Sequence, residues 1–234
     1  MKTTTFFIIV ILNLTVYNLD AQEKVFNTRF SGGESGFMEF LSQNLLYPIL
    51  SQENKSIGYS ITSITITPEG EIFGISTINK IDESIEKNIY KVLQSSKTRW
   101  LKCNTVSKNQ TFYIQIVYTY ENSKETPMFK SINDNYNFLE PVVLTALGWK
   151  KKELPETNEL ILTKLDEKMS KEEFSEALNY INELIRRNPF SKELYQKRIL
   201  INKKLNNNNL TIEDEQKIQN FIPGVSLDEL INKN

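Results

Sequence analysis

The hydrophobic and polar positions of this chain fall into two regimes, one with a period near two and one with a period near 3.6. Ile57 to Thr67 is dense in Ile and Thr, Pro68-Glu69-Gly70 reads as a turn, and Glu71 to Ile78 completes a hairpin. The period then changes. Ile85, Ile89, Val92 and Leu93 fall on one face of a helix predicted over Ile81 to Gln94, with Asp82 as its N-cap. After Trp100, Phe112, Ile114, Ile116, Tyr118 and Tyr120 alternate with Tyr113, Gln115, Val117 and Thr119, which is the cleanest strand signal in the chain. The order is ββαβ. In the first strand Ile57, Tyr59 and Ile61 share one parity and Ile64 and Ile66 the other. Either a bulge near Thr62-Ser63 or burial of both faces would reconcile them.

Upstream, residues 22–29 read as an extended lead. Gly32-Gly33 permits a turn, and Phe37, Phe40, Leu41 and Leu45 give a helical stripe that Pro48 ends, expected to pack on the sheet. Downstream of Tyr120 a polar, turn-rich loop leads to the apolar run Leu139 to Gly148 and then to Lys150-Lys151-Lys152. From Glu156 the period is helical. Thr157 caps a helix carrying Ile161, Leu162, Leu165 and Met169, and Ser170 to Glu173 reads as a capping box for the next. That helix bears Phe174, Ala177, Leu178, Ile181, Leu184 and Ile185 and stops at Asn188-Pro189. Ser191 caps a third, broken at Asn206 to Asn209, and a further helix follows from Thr211. The spacing of Phe174, Ala177, Ile181 and Pro189 suits part of a tetratricopeptide repeat, and an array this short needs something to dock on.

Several landmarks together carry a resemblance. Tyr47-Pro48, Gly58, the Gly70 turn, Ile81-Asp82-Glu83 at a helix start and Trp100 before the last strand resemble, in order, the C-terminal domain of TonB-family proteins. The run Phe30 to Pro48 is similar to the Gly-Gly-rich lead-in helix of such domains in Bacteroidetes-type bacteria. The family pattern has a Pro shortly after the Trp, where this chain has Leu101-Lys102-Cys103. Leu139-Glu140-Pro141-Val142-Val143-Leu144-Thr145-Ala146-Leu147-Gly148 resembles the TonB box of starch-utilisation-type outer-membrane transporters, and its plainer reading is a short apolar strand or helix in the core. A TonB box is the segment that adds as a strand to a TonB C-terminal sheet, so both partners stand on one chain.

Composition narrows the chemistry. Lys and Arg number 28 against 29 Asp and Glu, so no net field favours nucleic acid or an anionic membrane. There is no His, which removes the commonest general base and metal ligand at neutral pH. The one Cys, Cys103, has no internal disulfide partner. Asp82-Glu83 and Asp214-Glu215 are paired carboxylates at helix starts, where acids favour the macrodipole. No nucleophile elbow, phosphate loop or metal-spaced cluster is present. Residues 1–21 read as an export signal: Lys2, an apolar stretch from Phe6 to Leu19 interrupted by Asn13 and Asn18, and Asp20-Ala21-Gln22 at the cut, too short for the roughly twenty residues of a spanning helix.

The expectation is an α+β protein with five parts: a signal (1–21), a lead (22–29), a TonB C-terminal-like ββαβ domain with a small antiparallel sheet (30–121), a linker with a TonB-box-like strand (122–155), and an α-helical hairpin region (156–234). It is expected to be a periplasmic, non-enzymatic binding protein without cofactor or metal, with no nucleic-acid partner and no membrane insertion once the signal is removed. A sheet of three strands has edges close to its core, and an edge recruits another strand unless blocked. The expected binding edge is Phe112, Tyr113, Ile114, Gln115, Ile116, Val117 and Tyr118. The strand that matches it is Leu139, Val142, Val143, Leu144, Thr145 and Ala146, with hydrogen bonds from the main chain. The resemblance implies a protein partner, a TonB-dependent outer-membrane transporter or its TonB box. The rival expectation is a helical scaffold on a TonB-like foot.

Overall fold

A computed structural model describes residues 25–121, 123, 138–147 and 154–221. The expected signal, the run Lys150-Lys151-Lys152 and the residues after Phe221 lie outside the described residues. The fold is α+β, with helices α1 (Gly33–Asn44) and α2 (Ile49–Glu53), strands β1 (Gly58–Ile66) and β2 (Ile72–Asn79), helix α3 (Glu83–Ser95) and strands β3 (Gln110–Tyr120) and β4 (Val142–Ala146). Helices α4 (Asn158–Ser170), α5 (Phe174–Arg187), α6 (Lys192–Lys204) and α7 (Asn208–Phe221) follow.

The sheet has four strands in the order β2-β1-β3-β4, not three, and it is mixed: β1 pairs antiparallel with β2 and β3, whereas β4 runs parallel to β3. The β1–β3 register is unbroken from Gly58↔Tyr118 to Ile66↔Gln110. The irregularities are confined to β2, with shifts at Ile61/Thr62 and Thr65/Ile66. The two parities of β1 therefore reflect burial on both faces as well as a bulged neighbour. Ile64 and Ile66 join the core with Phe112, Ile114, Ile116 and Tyr118 of β3, under α1 and α3. Ile57, Tyr59 and Ile61 are also buried, yet lie outside that cluster.

Asp82 caps α3 as expected, accepting the Ile85 amide at 2.9 Å. Gly32, at φ 86°, and Gly33, at φ 65°, make the turn into α1 in left-handed backbone that glycine adopts without penalty. The expected extended lead is corrected: residues 25–29 are helical, and Phe26, Arg29 and Phe30 are almost wholly buried. Phe30 bridges Trp100, while the Ser31 amide donates to the Arg99 carbonyl and the Leu101 amide to that of Arg29. Phe26, Phe30, Phe37, Trp100 and Phe112 form an aromatic cluster with ring centroids 4.8 to 6.5 Å apart, mostly edge to face. The buried Arg29 guanidinium donates to the carbonyls of Thr67, Pro68 and Leu101, tying the lead to the β1–β2 turn and the segment after Trp100.

Helices α4 to α7 each pack on the next around a second core of Ile161, Leu165, Ala177, Ile181, Leu184, Ile185, Tyr195, Ile201 and Ile218. Thr157 and Ser191 cap as expected. The capping box does not form: α4 runs on through Ser170, Glu172 reverses the chain at φ 58°, and Glu173 precedes α5 without a side-chain cap. The Asn-rich break is likewise tighter than expected, with Asn206 at φ 59° and α7 starting at Asn208. Arg187 donates to Glu183, to the Glu156 carbonyl and to Asn158, and Arg198 pairs with the buried Asp214 at 2.8 and 2.5 Å.

The helical layer docks on the sheet. Helix α5 lies against β1, Phe190 packs on Tyr59 with centroids 6.1 Å apart, and Arg186 donates to the Ile81 carbonyl. Gly58, at φ 131°, takes the Arg186 carbonyl so closely that a Cβ there would collide with it. The layer thus accounts for part of the burial on the outer face of β1.

Candidate functional site

The site is built on the edge of β3. This strand is the longest in the sheet, and its apolar alternation places Phe112, Ile114, Ile116 and Tyr118 in the core. Those side chains anchor the strand and leave its main chain to face the next one. Of the opposite parity, Val117 is buried, Tyr113 is half-buried and Gln115 is buried with its Oε1 unpartnered. The edge expected to receive a strand is therefore held rigidly from beneath.

That edge is occupied by the chain's own residues. Val142 lies opposite Ile116, Val143 opposite Val117, Leu144 opposite Tyr118, Thr145 opposite Thr119 and Ala146 opposite Tyr120. The contact begins before the regular strand: Phe138 bridges Tyr113, with rings stacked 5.0 Å apart, and the Leu139 amide donates to the Tyr113 carbonyl at 2.9 Å. It ends where the Glu121 amide donates to the Ala146 carbonyl at 3.0 Å. In a parallel ladder alternate residues face the partner, so Val142, Leu144 and Ala146 share the orientation of Ala146 and direct their main-chain groups at β3. Leu139, Val142 and Ala146 are buried and Leu144 partly so, whereas Val143 is 45% and Leu147 72% exposed. β4 thus buries one set of side chains and shows the other to solvent.

Comparison finds no kin for this arrangement. No family model matches the chain, and neither curated proteins nor solved structures match it.

The other outer strand of the sheet is unlike this one. β2 carries both register shifts, and bulges blunt an edge against pairing. At β3 the ladder is regular and its cover is short, only Val142–Ala146 against Gln110–Tyr120.

Sequence reasoning missed two contributors. Glu34, in the first turn of α1, accepts the Glu140 amide on Oε1 at 3.0 Å, and Asn27 accepts the Glu34 amide on Oδ1 at 2.8 Å. An acid in a first turn looks like an ordinary dipole-favoured residue, so nothing marked Glu34 out. Phe138 falls within the expected linker, 122–155, where nothing in the sequence sets it apart.

Titratable groups gather at one end of β3. Burial raises the Tyr118 and Tyr47 hydroxyls well above the ordinary tyrosine range, and the Asp82 charge adds to this. The rings of Tyr47 and Tyr118 meet edge to face at 5.0 Å, and Tyr47 donates to the Ser56 carbonyl. Burial alone would raise Asp82, but hydrogen bonds from the Ile85 amide, Ser56 and Ser51 outweigh it and hold the carboxyl below its usual value. Cys103 lies in the segment between Trp100 and β3. Hydrogen bonds from the Thr105 hydroxyl and amide bring its thiol down to about 7, yet the side chain is buried. Among the described residues no group of three or more acidic or Cys side chains could hold a metal ion, and no helix is long and apolar enough to cross a membrane. What this geometry shows is main-chain pairing of β3 with an extended segment of the same chain.

Proposed function

We propose that this chain is an exported, periplasmic protein-binding module of the TonB C-terminal type, associated with TonB-dependent outer-membrane transport, whose site is the β3 edge. The observation that carries the reading is the parallel pairing of the TonB-box-like segment with β3. A strand that adds to this edge from another protein would use the same main-chain groups, so β4 acts as a self-supplied competitor. β3 and β4 stand on one chain, and linkage within one chain gives effective concentrations near the millimolar range for short connections. If β4 itself has an intrinsic Kd of about 10 μM for this edge, a partner strand would bind the closed protein roughly a hundredfold more weakly than the open one. The module is reversibly capped.

The test compares the full chain with a variant carrying Val142→Asp and Leu144→Asp, which evicts β4. A fluorescent peptide with the sequence of residues 139–147 should bind the evicted variant saturably and the unaltered chain far more weakly. No saturable binding to the evicted variant would refute the proposal. The scaffold alternative draws on the exposed Leu160, Leu162, Leu200 and Leu210. The docking of α5 on β1 favours instead a helical layer that buttresses the sheet.

A further inference from the structure

We infer that Glu34 selects the occupant of the β3 edge, favouring an extended segment with Lys or Arg at the position that Glu140 fills in the closed form. The inference rests on the strand-exchange reading and adds to it a chemical class of partner. Glu34 is a built feature. Its own amide is fixed by the Asn27 side chain, and the left-handed turn at Gly32 and Gly33 sets the start of its helix. Its carboxylate then reaches the incoming strand and holds the Glu140 amide. This contact falls between the Leu139 amide bond to Tyr113 and the first regular pair, Val142 with Ile116. The next residue, Pro141, has no amide hydrogen to give. Glu34 therefore supplies the acceptor in the stretch where the sheet supplies least.

The self-strand is a poor match to that carboxylate. Glu140 is exposed and brings a second negative charge to the residue whose amide Glu34 holds. Among the described residues neither acid has a Lys or Arg in ion-pair range. A foreign strand with a cation at this position keeps the amide bond and replaces like charge by opposite charge. The remaining positions are set by burial: apolar at those of Leu139, Val142 and Leu144, small at that of Ala146, which is 2% exposed, and unconstrained at Val143 and Thr145. The signature is apolar, basic, any, apolar, any, apolar, any, small. The own segment meets all of it except the charge. That exception biases the site toward release.

The experiment titrates two fluorescent peptides of residues 139–147, one native and one with Glu140→Lys, into the full chain at low salt. The Lys peptide should bind about fivefold more tightly, the size expected when a repulsive exposed pair becomes attractive. The preference should vanish in Glu34→Gln, which keeps the acceptor, and near 1 M salt, where the Debye length is about 3 Å. Equal affinities for the unaltered chain, or a preference that survives Glu34→Gln, would overturn the assignment. Binding of neither peptide, even to the variant carrying Val142→Asp and Leu144→Asp, would defeat the strand-exchange reading instead. Glu34 is then judged within the full chain: Glu140→Lys should slow amide exchange in β4 severalfold if the assignment holds, and unchanged exchange rejects it.

Discussion

Truncating Val142 to Ala should detach β4 without unfolding the rest of the sheet. Val142 is 7% exposed and packs against Ile116 and its neighbours in the main core. The substitution removes two methyl groups, which costs about 1.5 kcal/mol at roughly 0.8 kcal/mol per buried carbon, with a modest cavity term because the site lies at the rim. If β4 opens as a local unit, that cost falls on its opening equilibrium and raises the open population about tenfold. Amide hydrogen exchange reads this directly. The Glu121 amide, which donates to the Ala146 carbonyl, should exchange about ten times faster, and amides of the β1–β2 ladder near Ile64 and Ile75 should be unaffected. Thr145→Ala, at an exposed position, should change neither set. If Glu121 and the β1–β2 amides accelerate together, β4 belongs to the global unfolding unit and the capped-edge argument fails. If neither changes, Val142 does not hold the strand.

Three further outcomes follow from the packing. Arg29→Leu should destabilise the protein by about 3 kcal/mol in urea unfolding, because three part-buried carbonyls lose their shared donor, the buried guanidinium; a loss under 1 kcal/mol would show those carbonyls are satisfied otherwise. Gly58→Ala should cost about 2 kcal/mol or more, since it places a side chain in left-handed backbone against the Arg186 carbonyl, and retained Tyr59–Phe190 contacts by NMR would contradict the expected displacement of α5. The folded pKa of Asp82 is lowered, so its stabilisation is fully present above the unfolded value of 3.8 and is lost as pH falls through the folded value; Asp82→Asn should flatten this acid limb, and an unchanged limb would remove Asp82 as its source.

Where local period and global packing agree, the chain could be read directly. Ile85, Ile89, Val92 and Leu93 form the buried face of α3, and the alternation in β3 survives intact. The lead does not read as a helix because residues 22–29 carry only Val25 and Phe26 and, just beyond, Phe30 as apolar signal, too few for a period. What makes them helical and buried is Trp100, a partner far off in sequence, and three carbonyls waiting for Arg29. The Ser170 box failed for a similar reason. Its residues suit a helix start, but α4 had not yet ended, and the turn at Glu172 took the place of a cap. Of the site, the two strands were legible and their parallel pairing was not, because parity alone does not give direction. Glu34 was illegible altogether, since its role depends on a residue over a hundred positions away.

The site thus depends on an asymmetry between the two sides of the sheet. β2 is distorted twice, which discourages a further strand, whereas β3 keeps an undistorted register with β1 from Gln110 to Tyr118. A regular edge left bare would be an aggregation hazard, and a regular edge sealed by a long antiparallel strand would be permanently closed. A five-residue parallel strand is intermediate. Parallel pairing is slightly weaker per residue. Glu140 sets a like charge beside Glu34, so the cover satisfies the edge without matching it fully. The exchange proposed for this edge rests on these choices of residue.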